Sequence, residues 1–191
     1  MFSIHYLKLV SRLVASFAMV LMAVTLSTGA SFAQSVTANE AKTRVNIAGR
    51  ERMLIQRVVK SACFSSLGIE RSRNREELVA AQDLFAQSLD ALQVGNPAVG
   101  LGPESSEELL ADFAAIEAGW SEVASLAGAA ISPMGISLEG LHSLDVVGLD
   151  LLEKQNAVVQ KITQIYGQHL DDLPLILSIS IDVAGRQRML S

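Results

Sequence analysis

Apolar positions recur at helical spacing in four long stretches of this chain, separated by turn-forming residues. The first stretch, about 40–67, ends near Gly68. The second, about 74–94, opens on Asn74-Arg75-Glu76-Glu77 and carries Leu78, Ala81, Leu84, Phe85, Leu89 and Leu92. Gly95-Asn96-Pro97 and Gly100-Leu101-Gly102-Pro103 then predict a loop. Ser105 or Ser106 is placed to cap the third helix, with Glu107 and Glu108 favourable in its first turn. That helix carries Leu109, Leu110, Phe113, Ile116, Trp120 and Val123 and ends about Gly128. Ser132-Pro133-Met134-Gly135 breaks the chain, and Ser137 opens a fourth helix over about 138–171. Alternating β-branched runs are missing, which argues against sheets. Long helices joined by short loops predict an all-α fold, an antiparallel up-down four-helix bundle. Pro174 interrupts, and an extra short C-terminal helix is expected over about 175–191.

One string occurs twice. Val45-Asn46-Ile47-Ala48-Gly49-Arg50-Glu51-Arg52-Met53-Leu54 returns as Ile181-Asp182-Val183-Ala184-Gly185-Arg186-Gln187-Arg188-Met189-Leu190, with six positions identical. On a helical wheel, Val45, Ala48, Gly49, Arg52, Ile55, Gln56, Val59 and Cys63 fall within about 60° of one direction. Only Arg52 and Gln56 are polar in that stripe, so Arg52 is expected to face inward and Arg50 and Arg57 outward. Gly49 lies one turn before Arg52 on the same side, at a helix-interior cost of roughly 1 kcal/mol relative to alanine. Close approach of another backbone, or room for a small ligand beside Arg52, would offset it. An inward arginine must pair with an acid or bind an anion, and its planar donors suit flat oxyanions. From geometry alone, an ion pair to an acid on a neighbouring helix is the commoner outcome.

The residues Asn46-Ile47-Ala48-Gly49-Arg50-Glu51-Arg52-Met53-Leu54-Ile55-Gln56-Arg57 resemble the opening helix of the type IV pili methyl-accepting chemotaxis transducer N-terminal domain, the PilJ type. The pattern is also similar to the periplasmic P-box of nitrate/nitrite sensor kinases. The resemblance implies a four-helix sensor bundle, non-enzymatic, in which a glycine and an arginine hold an anion at a helix interface between two subunits. By that likeness Gly49 and Arg52 match the ligand-contacting pair and Met53 the following methionine, with Gln56 on the same face. Gly185, Arg188 and Met189 match in the second copy, which is either a half-site or a truncated repeat. The candidate ligand-binding set is therefore Gly49, Arg52, Met53, Gln56, Gly185 and Arg188. The implied partners are a small nitrate- or nitrite-like anion and either a second copy of the chain or an envelope sensor or pilus protein. A structural envelope bundle with its arginines in internal salt bridges is the alternative.

The amino terminus adds a compartment. Lys8 and Arg12, the apolar run Leu13 to Leu26 and Ser31-Phe32-Ala33 have the order of a secretory leader, so residues 1–33 are expected to be removed. The run spans about 14 residues, short of the roughly 20 that cross a bilayer. A bundle over 34–171 and a C-terminal segment over 172–191 would remain, periplasmic or secreted, with no stable membrane span. The chain has 15 Lys and Arg against 20 Asp and Glu, a net charge of −5, which disfavours nucleic acid. Cys63 is the only cysteine, so no internal disulfide forms, and it reads as a small buried hydrophobe. His5, His142 and His169 form no metal-binding spacing, and no cofactor or catalytic constellation is expected. Phe113 and Trp120 read as core residues, not cofactor stackers.

Overall fold

The computed structural model describes residues 36–167. The leader and the second motif, with Gly185 and Arg188, lie outside the described residues. Four helices make up the described chain: α1 Ala38–Ser66, α2 Arg71–Val94, α3 Glu107–Ile131 and α4 Leu138–Tyr166. A short 3-10 turn, Pro97–Val99, lies in the connection between α2 and α3.

Helix starts follow local capping chemistry. Thr37, Ser106 and Ser137 each turn a side-chain oxygen toward a backbone N–H three residues on, Glu40 (3.1 Å), Leu109 (3.4 Å) and Gly140 (3.1 Å). The second helix begins at Arg71, three residues before the position expected, because Glu70 adopts the left-handed conformation at φ 39° and reverses the chain there. Gly95, at φ 88°, ends α2 where a Cβ would come within 2.6 Å of the Gly102 backbone. Only glycine lets the loop fold back that closely, and Asn96 and Leu101 then pair across it.

Consecutive helices run antiparallel. The start of α1 meets the end of α2 (Arg44 Nη1 to Leu92 O, 3.2 Å), and Gln82 on α2 reaches Ala124 O on α3 at 3.1 Å. Helix α4 returns along α1, bringing Gln155 Nε2 to Ala48 O at 3.3 Å. The core is one cluster drawn from all four helices. Phe85 and Trp120 stack in it with ring centroids 3.8 Å apart, and Phe113 is fully buried in the same cluster.

The fully buried line of α1 is Ala41, Arg44, Ala48, Glu51, Ile55, Val58, Ala62 and Ser65, a heptad-like spacing of threes and fours. It is rotated roughly 80° from the stripe centred on Arg52 that the wheel suggests. Val45, Gly49, Gln56, Val59 and Cys63 are half-buried on the flank. Two charged residues on the true core line, Arg44 and Glu51, masked its apolar signal.

Candidate functional site

The rotation of α1 turns the expected stripe into one wall of a groove. Helix α4 supplies the other wall, and Gly148 sets how closely the two approach. A Cβ on Gly148 would lie 2.7 Å from Val59 Cγ2, too close for any larger residue without a shift. Next to this contact lies an open cleft of about 770 Å³. Gly49, Arg52, Met53 and Gln56 all line it, so the structure brings together all four described candidates.

Arg52 is 6 % exposed. Its Nη1 donates to Asn156 Oδ1 on α4 at 3.2 Å, and its Nε makes a long contact of 3.5 Å to Gly49 O. Among the described residues, a Cβ on Gly49 would meet only Arg52 Nη2, at an ordinary 3.6 Å. No backbone outside α1, among the described residues, comes within 4 Å of that position. Met53, 41 % exposed, lies on the rim with Arg50, Arg57 and Lys60, which are also exposed. Counting Arg52, four cations line the groove against one acid, Asp145, among the described residues. The described lining of the groove is therefore cationic although the chain as a whole is acidic.

Behind Arg52, the core holds a carboxyl group. Glu51 is 0 % exposed and accepts a 2.6 Å hydrogen bond from Gln155 Nε2. Burial pushes its pKa up to about 8, although the Gln155 hydrogen bond and the Arg50 charge pull the other way. Cys63 is half-buried at the groove, not fully buried as expected. Its thiol is pushed up by burial and by Asp145.

A second buried arginine was not anticipated. Arg44, 1 % exposed, donates through Nη2 to Glu40 Oε1 (3.1 Å) and Gly102 O (2.6 Å), and through Nη1 to Glu104 Oε2 (3.1 Å). Its guanidinium lies 5.1 Å from the centroid of the Tyr166 ring. The Tyr166 hydroxyl donates to the Glu104 carboxylate (2.6 and 2.8 Å), whose Oε1 also accepts the Ser105 and Ser106 N–H groups at 2.8 Å each. Burial first, then the Glu104 hydrogen bond, pushes the Tyr166 phenol well above its ordinary range. The start of α1, the α2–α3 loop and the end of α4 are clasped by this one network. The i,i+4 spacing of Glu40 and Arg44 was its only trace in the sequence.

The family model for the N-terminal domain of type IV pili methyl-accepting chemotaxis transducers, PilJ, matches residues 34–143. The chain belongs to this family. None of the curated proteins compared with it matches. Among solved structures, the PilJ-type bundle is similar to the ligand-binding domain of the P. aeruginosa nitrate receptor McpN, with a TM-score of 0.56 and 20 % identity. That likeness covers 64 % of this chain and 94 % of the McpN domain, and it shows a shared helical fold. Among the described residues of the PilJ-type domain, no three His, Cys, Asp or Glu side chains are grouped to hold a metal ion, and no helix is long and apolar enough to cross a membrane.

Proposed function

We propose that this domain is an exported sensor module that captures a small oxyanion in the α1–α4 groove, with Arg52 as its main ligand. Nitrate and nitrite are the first candidates, because McpN, a nitrate receptor, has a similar fold and the motif resembles that of nitrate sensors. The observation that carries the reading is the groove itself. Among the described residues, it gathers Gly49, Arg52, Met53 and Gln56 under a rim of three further cations. A flat oxyanion would take two parallel donors from Arg52, Gln56 would offer an amide, and Met53 would cover the rim. A second copy of the chain, or the second motif with Gly185 and Arg188, would bring another arginine to the same anion. Two cations held close repel each other, and an anion between them relieves that repulsion.

Calorimetry with nitrate, nitrite, sulfate and small carboxylates tests this on the wild type and on Arg52→Ala, Arg188→Ala and Arg50→Ala. Loss of one charge-assisted contact corresponds to roughly 1.5–3 kcal/mol, a factor of about 10 to 150 in affinity. That loss is expected for the first two variants and not for the third. Heat from none of these anions would sink the reading. Export is checked by mass spectrometry of the periplasmic fraction, where a mature chain beginning near Gln34 is expected.

The second reading is a structural bundle with internal ion pairs, and the Arg44 clasp favours it. In that case Arg52→Ala would lower the melting temperature without changing any anion's binding.

A further inference from the structure

Arg52 does not cross from α1 to α4 alone. Glu51, the residue before it, is held by Gln155, while Asn156, the residue after Gln155, holds Arg52. Two adjacent positions on α1 thus bond to two adjacent positions on α4. The Arg52 rung lies at the groove; the Glu51 rung is sealed in the core. Among the described residues, Glu51 Oε1 and Gln155 Oε1 both lack a hydrogen-bond partner. Two buried acceptor oxygens on one bonded pair are short of a donor, and a proton on the carboxyl group supplies one.

Among the described residues, ionisable neighbours do not supply the missing compensation. The buried residues of α3 are all apolar, and those of α2 include no ionisable side chain. On α4, Gln155 faces Glu51, and the only ionisable buried residue, Tyr166, is bonded to Glu104. On α1, Arg50 acts on Glu51 from outside while donating to Ser88 Oγ on α2 at 2.9 Å. Arg52 follows directly in the chain, and Arg44 is bonded to Glu40 and Glu104. The second copy of the motif carries Gln187 where the first has Glu51, an amide with the shape of the neutral acid.

We propose that the Glu51–Gln155 rung is a positioning element of the anion site and makes anion capture depend on proton binding. The inference rests on the reading of Arg52 given above. With Glu51 neutral, the rung holds α1 and α4 in register, and Glu51 adds no negative charge next to Arg52. Ionisation puts a buried negative charge on the residue that precedes Arg52 in α1, where it repels the incoming anion. Affinity should therefore be level at neutral and mildly acidic pH and fall as pH rises through the Glu51 range. By reciprocity, anion binding in that range takes up protons.

The test is nitrate calorimetry on the full chain at about pH 6.5 and about pH 9, in buffers of differing ionisation heat, for wild type, Glu51→Gln and Arg52→Ala. Wild-type affinity should fall about tenfold between the two conditions, with net proton uptake on binding at the higher pH. Glu51→Gln should hold the high affinity at both and take up no protons, a rescue that a merely structural role would not produce. If wild type and Glu51→Gln show the same pH profile while Arg52→Ala abolishes binding, the rung is not a proton-linked element and the anion site stands. If wild type binds no nitrate at either pH, the anion site fails and this inference with it.

Discussion

Arg44 and Arg52 lie two turns apart on the same helix, both almost wholly buried, yet their surroundings differ in kind. Arg44 is enclosed by two carboxylates, two backbone carbonyls and an aromatic ring, drawn from α1, α2, the α2–α3 loop and α4. Arg52 borders a cleft, bonded to a side-chain amide, with a glycine beside it and further cations along the rim. Burial is common to both, so burial does not decide which arginine can serve a ligand. What separates them, among the described residues, is the charge gathered around each. Among the described residues, acids converge on Arg44 and close its site, whereas four cations and one acid line the groove at Arg52. One arginine fastens the end of the bundle where α1 begins and α4 finishes, and the other lies midway along it, where we propose the anion site.

Breaking the closed site should have the largest effect. Arg44→Ala leaves Glu104, with no exposed side-chain area, to face the core beside Glu40 without its cation. Removing one partner of a buried pair costs about 3–5 kcal/mol, and the melting temperature should fall accordingly. Nitrate affinity of the folded protein should not change. A variant with near-normal stability and lost anion binding would reverse the roles assigned to the two arginines.

Next in size is Arg52→Ala. Its main consequence should be in affinity, about 10- to 150-fold weaker for the best anion, with a smaller fall in melting temperature than Arg44→Ala. Thermal shift with and without nitrate reads both quantities in one experiment, since a ligand raises the midpoint only by binding the folded state. Equal destabilisation by the two substitutions, with no anion effect in either, would make both arginines structural and erase the contrast.

Glu51 sharpens the comparison through pH. Its folded value of about 8 stands above its ordinary 4.5, because burial disfavours the charged form. Between those values the folded protein keeps a proton that the unfolded chain has released. This contribution is full below the ordinary value, declines as pH rises and levels off above about 8. The slope contributed by one such group is at most about 1.4 kcal/mol per pH unit. Melting curves of anion-free protein should show this decline in wild type, and Glu51→Gln should lose it and melt higher at alkaline pH. Parallel curves for the two proteins would mean that Glu51 is ionised in the folded state.

The four helices were legible because their breaks are chemical. Gly68, the Gly95–Pro103 stretch and Ser132–Gly135 all punctuate the pattern, and Ser106 and Ser137 cap where capping chemistry places them. Arg52 inward with Arg50 and Arg57 outward was legible too, because the motif carries three arginines at different angles. The phase of the core was not. A wheel counts Arg44 and Glu51 as polar and moves the apolar centre away from them, although folding buries both. The acids that close on Arg44 come from four residues and sixty residues away, and only the second needs the loop to fold. Glu104 sits in a stretch that reads as a plain loop, so its part in the clasp had no local signature. Glu51 had a hint in Gln187, its counterpart in the second motif, since an amide tolerates burial where a carboxylate does not.

The smallest effect belongs to Arg50, and its size is the finest test of the contrast between rim and floor. Arg50 is exposed on the groove's edge and donates to Ser88 Oγ at 2.9 Å. An exposed cation acts on a bound anion through water and salt, so Arg50→Ala should change nitrate affinity by no more than about threefold. That difference should shrink toward zero as salt is raised, while the loss in Arg52→Ala persists, because a direct contact is screened far less. Arg50 also pulls the Glu51 carboxyl toward ionisation, so its removal should let Glu51 keep its proton to higher pH. The alkaline decline in stability should then move upward in pH. An affinity loss as large as that of Arg52→Ala, unchanged at high salt, would put Arg50 in contact with the anion and move the recognition site from the floor of the groove to its rim.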